Sequence, residues 1–358
     1  MGDPGPPTLP RAVRTPAKTE PMTSTVKVFA HAKLNLGLRV LGCRSDGYHL
    51  LESLFVPIAL ADSLEIEFGD LGPVAGSPAV EIGFEIESDP GLPGAGAVGP
   101  PERNLAVRAV RSFCGEAGLS GTLQLRLSKR IPVGAGLGGG SSDAGTVLRA
   151  LDTQFPGRVA PERLLGLAVA LGADVPFFLR AEPSRVGGIG EKISPLTGLR
   201  PLSLLLANPG VSLSTANVFS AFDRAQSALT LGPSRSTMRA LEGSGAAPRS
   251  ADSLVTAFNS ALSSRTNSEL SKGSSAMTIP NLLTNDLEPF ATFLCPQVSE
   301  LQEQIRRLGA HNTAMSGSGA TVYGVFPDDE TARDALERAE FKAPIWACAT
   351  RSLGEPKQ

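Results

Sequence analysis

The sequence predicts an α+β protein built from two domains, and three observations carry that expectation. Residues 122–151 read as a strand, a glycine-rich stretch and a helix in succession. From residue 202 onward the apolar pattern runs strand, helix, helix, strand, helix, strand, the order of a ferredoxin-like, split β-α-β sandwich. The chain's 358 residues are more than one hydrophobic core usually organises. The expected division is a disordered extension at 1–25, an N-terminal α/β domain at 26–199 and a C-terminal domain at 200–354, the last carrying a mobile insertion at 232–275.

Residues 1–24 are rich in Pro and small residues and lack the apolar centre of a secretory signal, while Asp3 and Glu20 speak against a targeting segment. Met22 is a candidate start, because ordered patterning begins just after it. Residues 26–42 are strand-like, with Val28, Ala30 and Ala32 alternating ahead of K-L-N-L-G-L-R-V-L, and Asp46-Gly47 marks a turn. Residues 62–68 and 80–86 read as antiparallel strands, and 89–101, dense in Gly and Pro, as an inserted loop. Asn104 caps a helix that turns Leu105, Val107, Val110 and Phe113 inward. The strand at 122–128 feeds the glycine stretch, and Pro161 opens a further helix ending at Leu171.

In the second half, 202–207 is a buried strand that stops at the Asn208-Pro209-Gly210 turn. Ser214 or Thr215 then caps a helix holding Val218, Phe219 and Phe222. The Ser, Ala and Gly crowding of 232–275 defines the insertion. Pro296 opens a helix through Leu308, a second Gly/Ser turn runs into a strand at 315–326, and a helix at 330–338 and a strand at 344–350 complete the pattern.

The most informative stretch is Arg130 to Thr146, R-I-P-V-G-A-G-L-G-G-G-S-S-D-A-G-T, with six glycines. Glycine admits positive φ and close backbone approach, and Ser141, Ser142 and Asp143 are good helix caps. Such a loop turns N–H groups inward at the positive end of a helix dipole, which suits a phosphate. A P-loop is excluded, since no lysine lies between Gly134 and Thr146. A G-x-G-x-x-G is formally present as Gly134, Gly136 and Gly139, but Pro132 interrupts the strand before it and no clear ribose-binding acid follows. A plain surface loop would leave the adjoining amphipathic helix unexplained.

Composition narrows the classes further. A net charge of -2 argues against a nucleic-acid footprint, so an anionic ligand has to be held locally. Cys43, Cys114, Cys295 and Cys348 are scattered without a C-x-x-C, which fits a reducing cytoplasm better than zinc or disulfides. No apolar run approaches the ~20 residues of a membrane-spanning helix.

Three groups of polar residues carry two readings each. Lys33 and Asn35, two apart on one strand, share a face that is either a wet edge or a site. Tyr48 and His49, after a turn, either pack inward or stack on a planar ligand. Asp174, set in the apolar stretch G-A-D-V-P-F-F just past a helix end, is either a turn cap or a group tuned for proton transfer.

A-K-L-N-L, D-G-Y-H, P-V-G-A-G-L-G-G-G-S-S, G-A-D-V-P-F-F, N-D-L-E and S-G-S-G-A, in this order, resemble the GHMP small-molecule kinases across residues 26–353. The resemblance implies the two-domain GHMP-kinase architecture, with ATP as co-substrate, Mg2+, and phosphoryl transfer to a small-molecule alcohol. It implies that Pro132, Val133, Gly134, Ala135, Gly136, Leu137, Gly138, Gly139, Gly140, Ser141 and Ser142 wrap the ATP phosphates, and that Lys33 and Asp174 are the catalytic pair. The combination of A-K-L-N, D-G-Y-H and G-A-D-V-P is similar to that of members acting on a cytidine diphosphate-linked methylerythritol. From this branch, His49 is expected to hydrogen-bond the cytosine, Tyr48 and Phe219 to stack on its two faces, and Asn35 to contact the methylerythritol end. No nucleic-acid or membrane partner is implied. Ser142 is a candidate contributor to magnesium binding, and no acidic ligand is singled out. His31 departs from the proline of many relatives, and the stretches at 70–101 and 232–275 exceed the compact pattern.

Overall fold

The computed structural model describes residues 24–74, 76, 78–97, 99–231, 259 and 283–354. The expected extension at 1–25, save Ser24 and Thr25, and the expected insertion at 232–275, save Asn259, lie outside the described residues. Ser24 and Thr25 already belong to the first strand.

The N-terminal half is built on two long strands, β1 (Ser24–Cys43) and β2 (His49–Phe68), paired antiparallel from Ser24↔Phe68 to Cys43↔His49. Gly47, with φ 86°, closes the turn between them by donating its N–H to Arg44 O at 3.0 Å. Only 62–68 of β2 is legible from alternation. Residues 53–58 are buried on both faces and read as a continuous apolar run, broken by Pro57.

β3 (Gly72–Pro73) and β4 (Val80–Ser88) follow, then α1 (Leu105–Ala117) and β5 (Leu119–Lys129). The strands expected at 62–68 and 80–86 do run in opposite directions, but they do not pair with each other: β5 pairs with both, antiparallel to β2, while β4 runs parallel to β5, Val80↔Gly121 through Ser88↔Lys129. The reason is connection length, because the stretch between them contains α1, and a helical crossover returns the chain in the same direction. Asn104 caps α1 as expected, its side chain accepting from Ala106 N at 2.9 Å, and Gly118 ends it at φ 65°.

α2 (Gly139–Gln154) and α3 (Pro161–Leu171) cover the sheet beside α1, and β6 (Ser184–Gly188) and β7 (Lys192–Pro195) extend it along the first part of β2. The C-terminal half holds β8 (Ser203–Asn208), α4 (Thr215–Leu231), α5 (Glu288–Leu294), α6 (Gln297–Arg307), β9 (Asn312–Met315), β10 (Val322–Phe326), α7 (Asp329–Arg338) and β11 (Trp346–Arg351). Its sheet is antiparallel throughout in the order β11-β8-β10-β9.

One apolar core lies between the first sheet and α1–α3, centred on Phe113, Leu125 and Leu148, and another lies under α5–α7. A core between these two unites the sheets: Leu34, Leu36, Val56 and Ile58 pack in one cluster with Leu204, Leu206, Tyr323 and Val325. The larger cleft described below opens beside that shared core.

Candidate active site

The glycine loop leaves β5 at Lys129 and enters α2 at Gly139. Gly134, Gly136 and Gly138 all have positive φ, between 66° and 79°. At Gly136 a side chain is also excluded by contact, since a Cβ there would stand 2.2 Å from Ser316 O. The loop is clamped from both halves of the molecule. Leu137 O accepts the Lys33 N–H at 3.0 Å from β1, while Gly136 O accepts Ser316 Oγ at 3.0 Å and Ala135 O accepts the Thr321 N–H at 3.3 Å from the turn after β9. That second Gly/Ser turn is held in its own right, by Asn285 Nδ2 donating to Met315 O and Gly317 O and by Glu288 accepting the Met315 N–H. The N-D-L-E motif is thus the scaffold of the S-G-S-G-A motif. No side chain caps the N terminus of α2, so its first N–H groups remain available to an anion.

A cleft of about 1020 Å³ runs from this loop to the β1–β2 turn. Lys33, Asn35, Tyr48, His49, Asp174 and Phe219 all line it, as do Pro132 through Gly136 and Gly138 through Ser141. Two members of the predicted loop set face elsewhere. Leu137 is buried in the shared core, and Ser142 is fully buried with its hydroxyl donated to His31 O at 2.7 Å and its N–H to Gly138 O at 2.8 Å. The N–H and the hydroxyl proton of Ser142 are therefore committed to the fold, which leaves it no hydrogen to donate to a phosphate.

Lys33 and Asp174, 141 positions apart, meet with Nζ 3.5 Å from Oδ2. Lys33 is 3% exposed; it also donates to Asn35 Oδ1 and lies 4.4 Å over the Phe55 ring. Burial pushes the Lys33 ammonium below its ordinary pKa, and the Asp174 carboxylate opposes that fall. Asp174 itself is placed by the end of α3, where Gly172 stops the helix, and by the buried 3₁₀ turn Val175–Leu179 that follows. Its side chain is 32% exposed, so the carboxylate is fixed by the lysine yet open to the cleft. Asn35 is buried, donating Nδ2 to Ser53 Oγ at 2.9 Å, and Tyr323 Oη donates to its main-chain carbonyl at 3.0 Å.

At the other end of the cleft the His49 ring lies on the Phe219 ring, centroids 4.5 Å apart and planes 25° off parallel. Its Nε2 is 2.8 Å from Asp223 Oδ1 on α4. Tyr48 is 61% exposed at the rim. The face of Phe219 expected to meet a base is covered here by the imidazole.

A buried charge cluster behind the loop escapes the sequence reading. Lys129 Nζ pairs with Asp62 Oδ2 and, at 2.9 Å, with Asp143 Oδ2, all three residues being at most 6% exposed. Asp62 Oδ1 accepts the N–H groups of Arg130 and Ile131, the latter at 2.8 Å, which sets the exit angle of the loop. Burial pushes the Asp143 carboxyl up to about 7 against the pull of Lys129, with the Asp62 charge adding to the rise. Asp143 Oδ1 has no hydrogen-bond partner. Spacings of 67 and 14 residues carry no periodic signal, so only the fold brings these groups together.

Comparison with known proteins decides the family. Residues 104–182 match the GHMP kinases N terminal domain and 265–344 the GHMP kinases C terminal model. A 4-diphosphocytidyl-2-C-methyl-D-erythritol kinase of Geobacter sp. (strain M21) is 34% identical over 328 residues, covering 92% of this chain and 99% of the relative. The chain belongs to this kinase family. A second relative of the same description, from Symbiobacterium thermophilum, is 36% identical over 313 residues, 87% of this chain and 95% of its own. A crystal structure of a 4-(cytidine 5'-diphospho)-2C-methyl-D-erythritol kinase is 32% identical and superposes with a TM-score of 0.64 over 92% of this chain and 100% of its own. The homoserine kinase of Cytophaga hutchinsonii, 16% identical with a TM-score of 0.59 over 96% of this chain and 98% of its own, shares the fold. The expected α+β, two-domain GHMP-kinase fold is the one observed.

Proposed function

We propose that the protein transfers the γ-phosphoryl group of ATP to the 2-hydroxyl of 4-diphosphocytidyl-2-C-methyl-D-erythritol, a step of the non-mevalonate route to isoprenoid precursors. The observation that carries this reading is the ion pair of Lys33 and Asp174 in one cleft with the glycine loop and the His49–Phe219 pair. Phosphoryl transfer asks the protein for positioning and charge stabilisation more than for covalent chemistry. Asp174 accepts the proton of the acceptor hydroxyl as its oxygen bonds to the γ-phosphorus and the bond to ADP breaks. Lys33 holds the Asp174 carboxylate in place and its ammonium offsets charge on the transferring group. The α2 N terminus and the loop from Pro132 to Ser141 receive the triphosphate.

His49 donates to or accepts from the base edge, and Tyr48 and Phe219 flank the ring once the imidazole moves off Phe219. Asn35, beside Lys33, faces the methylerythritol end. The cleft's carboxylates also bear on Mg2+. Asp174 is engaged by Lys33 and Asp223 by His49, whereas Asp143 retains an oxygen without a partner. One carboxylate with substrate phosphates and water suits this ion, so Asp143 would hold it, and bound Mg2+ would neutralise phosphate charge. Residues 26–199 and 200–354 serve as the two domains. The scattered cysteines support a reducing cytoplasm as its compartment, and its ligands are small molecules. No helix among the described residues is long and apolar enough to cross a membrane.

The test is ADP release, followed by a coupled assay, with the cytidine substrate against mevalonate and homoserine. Turnover on the cytidine substrate alone is expected; a preference for either of the others overturns the assignment and favours a homoserine- or mevalonate-type kinase.

A further inference from the structure

A second cleft, of about 710 Å³, lies on the opposite side of β1 and β2, in the seam between the first sheet and the β11 edge of the second. Its walls bring together four cations, Lys27, Arg130, Arg333 and Arg351, against a single carboxylate, Asp329. That carboxylate is already engaged, accepting from Ser203 Oγ at 2.6 Å and lying 3.9 Å from Arg351. Among the described residues Lys27, Arg130 and Arg333 enter no ion pair, and Glu65, the cross-strand neighbour of Lys27, is tied to Arg126. The four cations are exposed side chains, and like charges gathered in a concavity repel one another unless an anion joins them.

Two features specify the anion. Arginine forks match phosphate oxygens, and the excess of three positive charges suits a diphosphate better than a single carboxylate or phosphate. Phe29, on the same strand face as Lys27, is 55% exposed in the cleft, next to Leu60, Ala61 and Ala349. This is an apolar wall beside a cationic one, in a volume within the small-molecule range. We propose that this seam is a binding site for an organic diphosphate, its phosphates on the arginines and its apolar part on Phe29.

The site adjoins the catalytic machinery from behind. His31, on its wall, gives its carbonyl to Ser142 of α2, and β1 changes register between His31 and Lys33. Arg130 hangs from the main chain that Asp62 holds and lies two residues before Pro132. A ligand that draws in Arg130 therefore pulls on the glycine loop, and the site is placed to modulate the kinase.

Benzyl diphosphate and inorganic pyrophosphate, titrated calorimetrically into the full chain with and without a non-hydrolysable ATP analogue, test the proposal. One-site binding that persists beside the analogue is expected, tighter for benzyl diphosphate than for pyrophosphate. Arg333→Glu and Lys27→Gln, on exposed side chains away from the catalytic cleft, should each weaken it about tenfold or more. Phe29→Ala should weaken benzyl diphosphate alone. No binding, binding abolished by the ATP analogue, or affinities unchanged in both charge variants while thermal unfolding shows them folded would overturn the site. None of these outcomes bears on the identity of the phosphoryl acceptor, which the substrate panel reads.

Discussion

The two ends of the catalytic cleft are made of different material. The end proposed for the triphosphate is main chain: positive-φ glycines, an uncapped helix N terminus and carbonyls clamped by Lys33, Ser316 and Thr321. The end proposed for the base is side chain: a His49–Phe219 stack, an exposed Tyr48 and Asp223, 51% exposed, on α4. Main chain pinned from two sheets cannot adapt, whereas rings on a strand and a helix can change rotamer. The contrast matches the division of labour in phosphoryl transfer, where the triphosphate must be fixed and the acceptor's recognition group can be captured.

Substitutions can break this contrast, and the largest effect is expected where the ends meet. Asp174→Asn should lower kcat by about a hundredfold to ten-thousandfold, the usual worth of a general base, with binding of both ligands intact by calorimetry. A rate near that of the parent protein would remove Asp174 as the base. Gly136→Ala tests rigidity, because its Cβ would strike Ser316 O and the φ of 79° is unfavourable to alanine. Strain of about 1–3 kcal/mol should appear as a roughly ten- to hundredfold fall in kcat/KM for ATP, with the cytidine KM little changed. If both substrates suffer equally, the loop is a structural strut rather than a cradle.

His49→Ala sharpens the other end. Loss of a stacked, hydrogen-bonding ring should raise the cytidine KM by about tenfold and leave the ATP KM within about twofold. Equal shifts would mean that His49 only packs. Asp223→Asn should do least, about two- to fivefold on the cytidine KM, since the amide oxygen can still accept from the imidazole. A larger loss would show that Asp223 fixes the imidazole that reads the base.

The same contrast explains what was legible in the sequence. The glycine loop stood out through its local composition, whereas strand alternation and a helix end left Lys33 and Asp174 with two readings each, and it was the resemblance to the GHMP kinases that paired them. Asp62, Lys129 and Asp143 could not, because a buried charge is intelligible only once its partners are known. The commitment of the Ser142 hydroxyl proton was hidden for the same reason, its acceptor being a carbonyl 111 residues away. The pairing of β4 with β5 was hidden because a strand's neighbour depends on the connection and not on the alternation of Val80, Ile82 and Phe84. Asp223 sits on an ordinary helix face, and its value comes entirely from His49 across a separation of 174 residues.

The shared core of Leu34, Leu36, Val56, Ile58, Leu204, Leu206 and Tyr323 has a mechanical consequence. Each sheet has a core under its own helices, but the residues gathered in this third cluster come from both sheets, so cutting the chain between residues 199 and 200 would leave a greasy wall bare on each fragment. A molecule mortised in this way does not work as a clamshell: its jaws share one floor, and whatever closes over the nucleotide and the sugar has to swing from the rim.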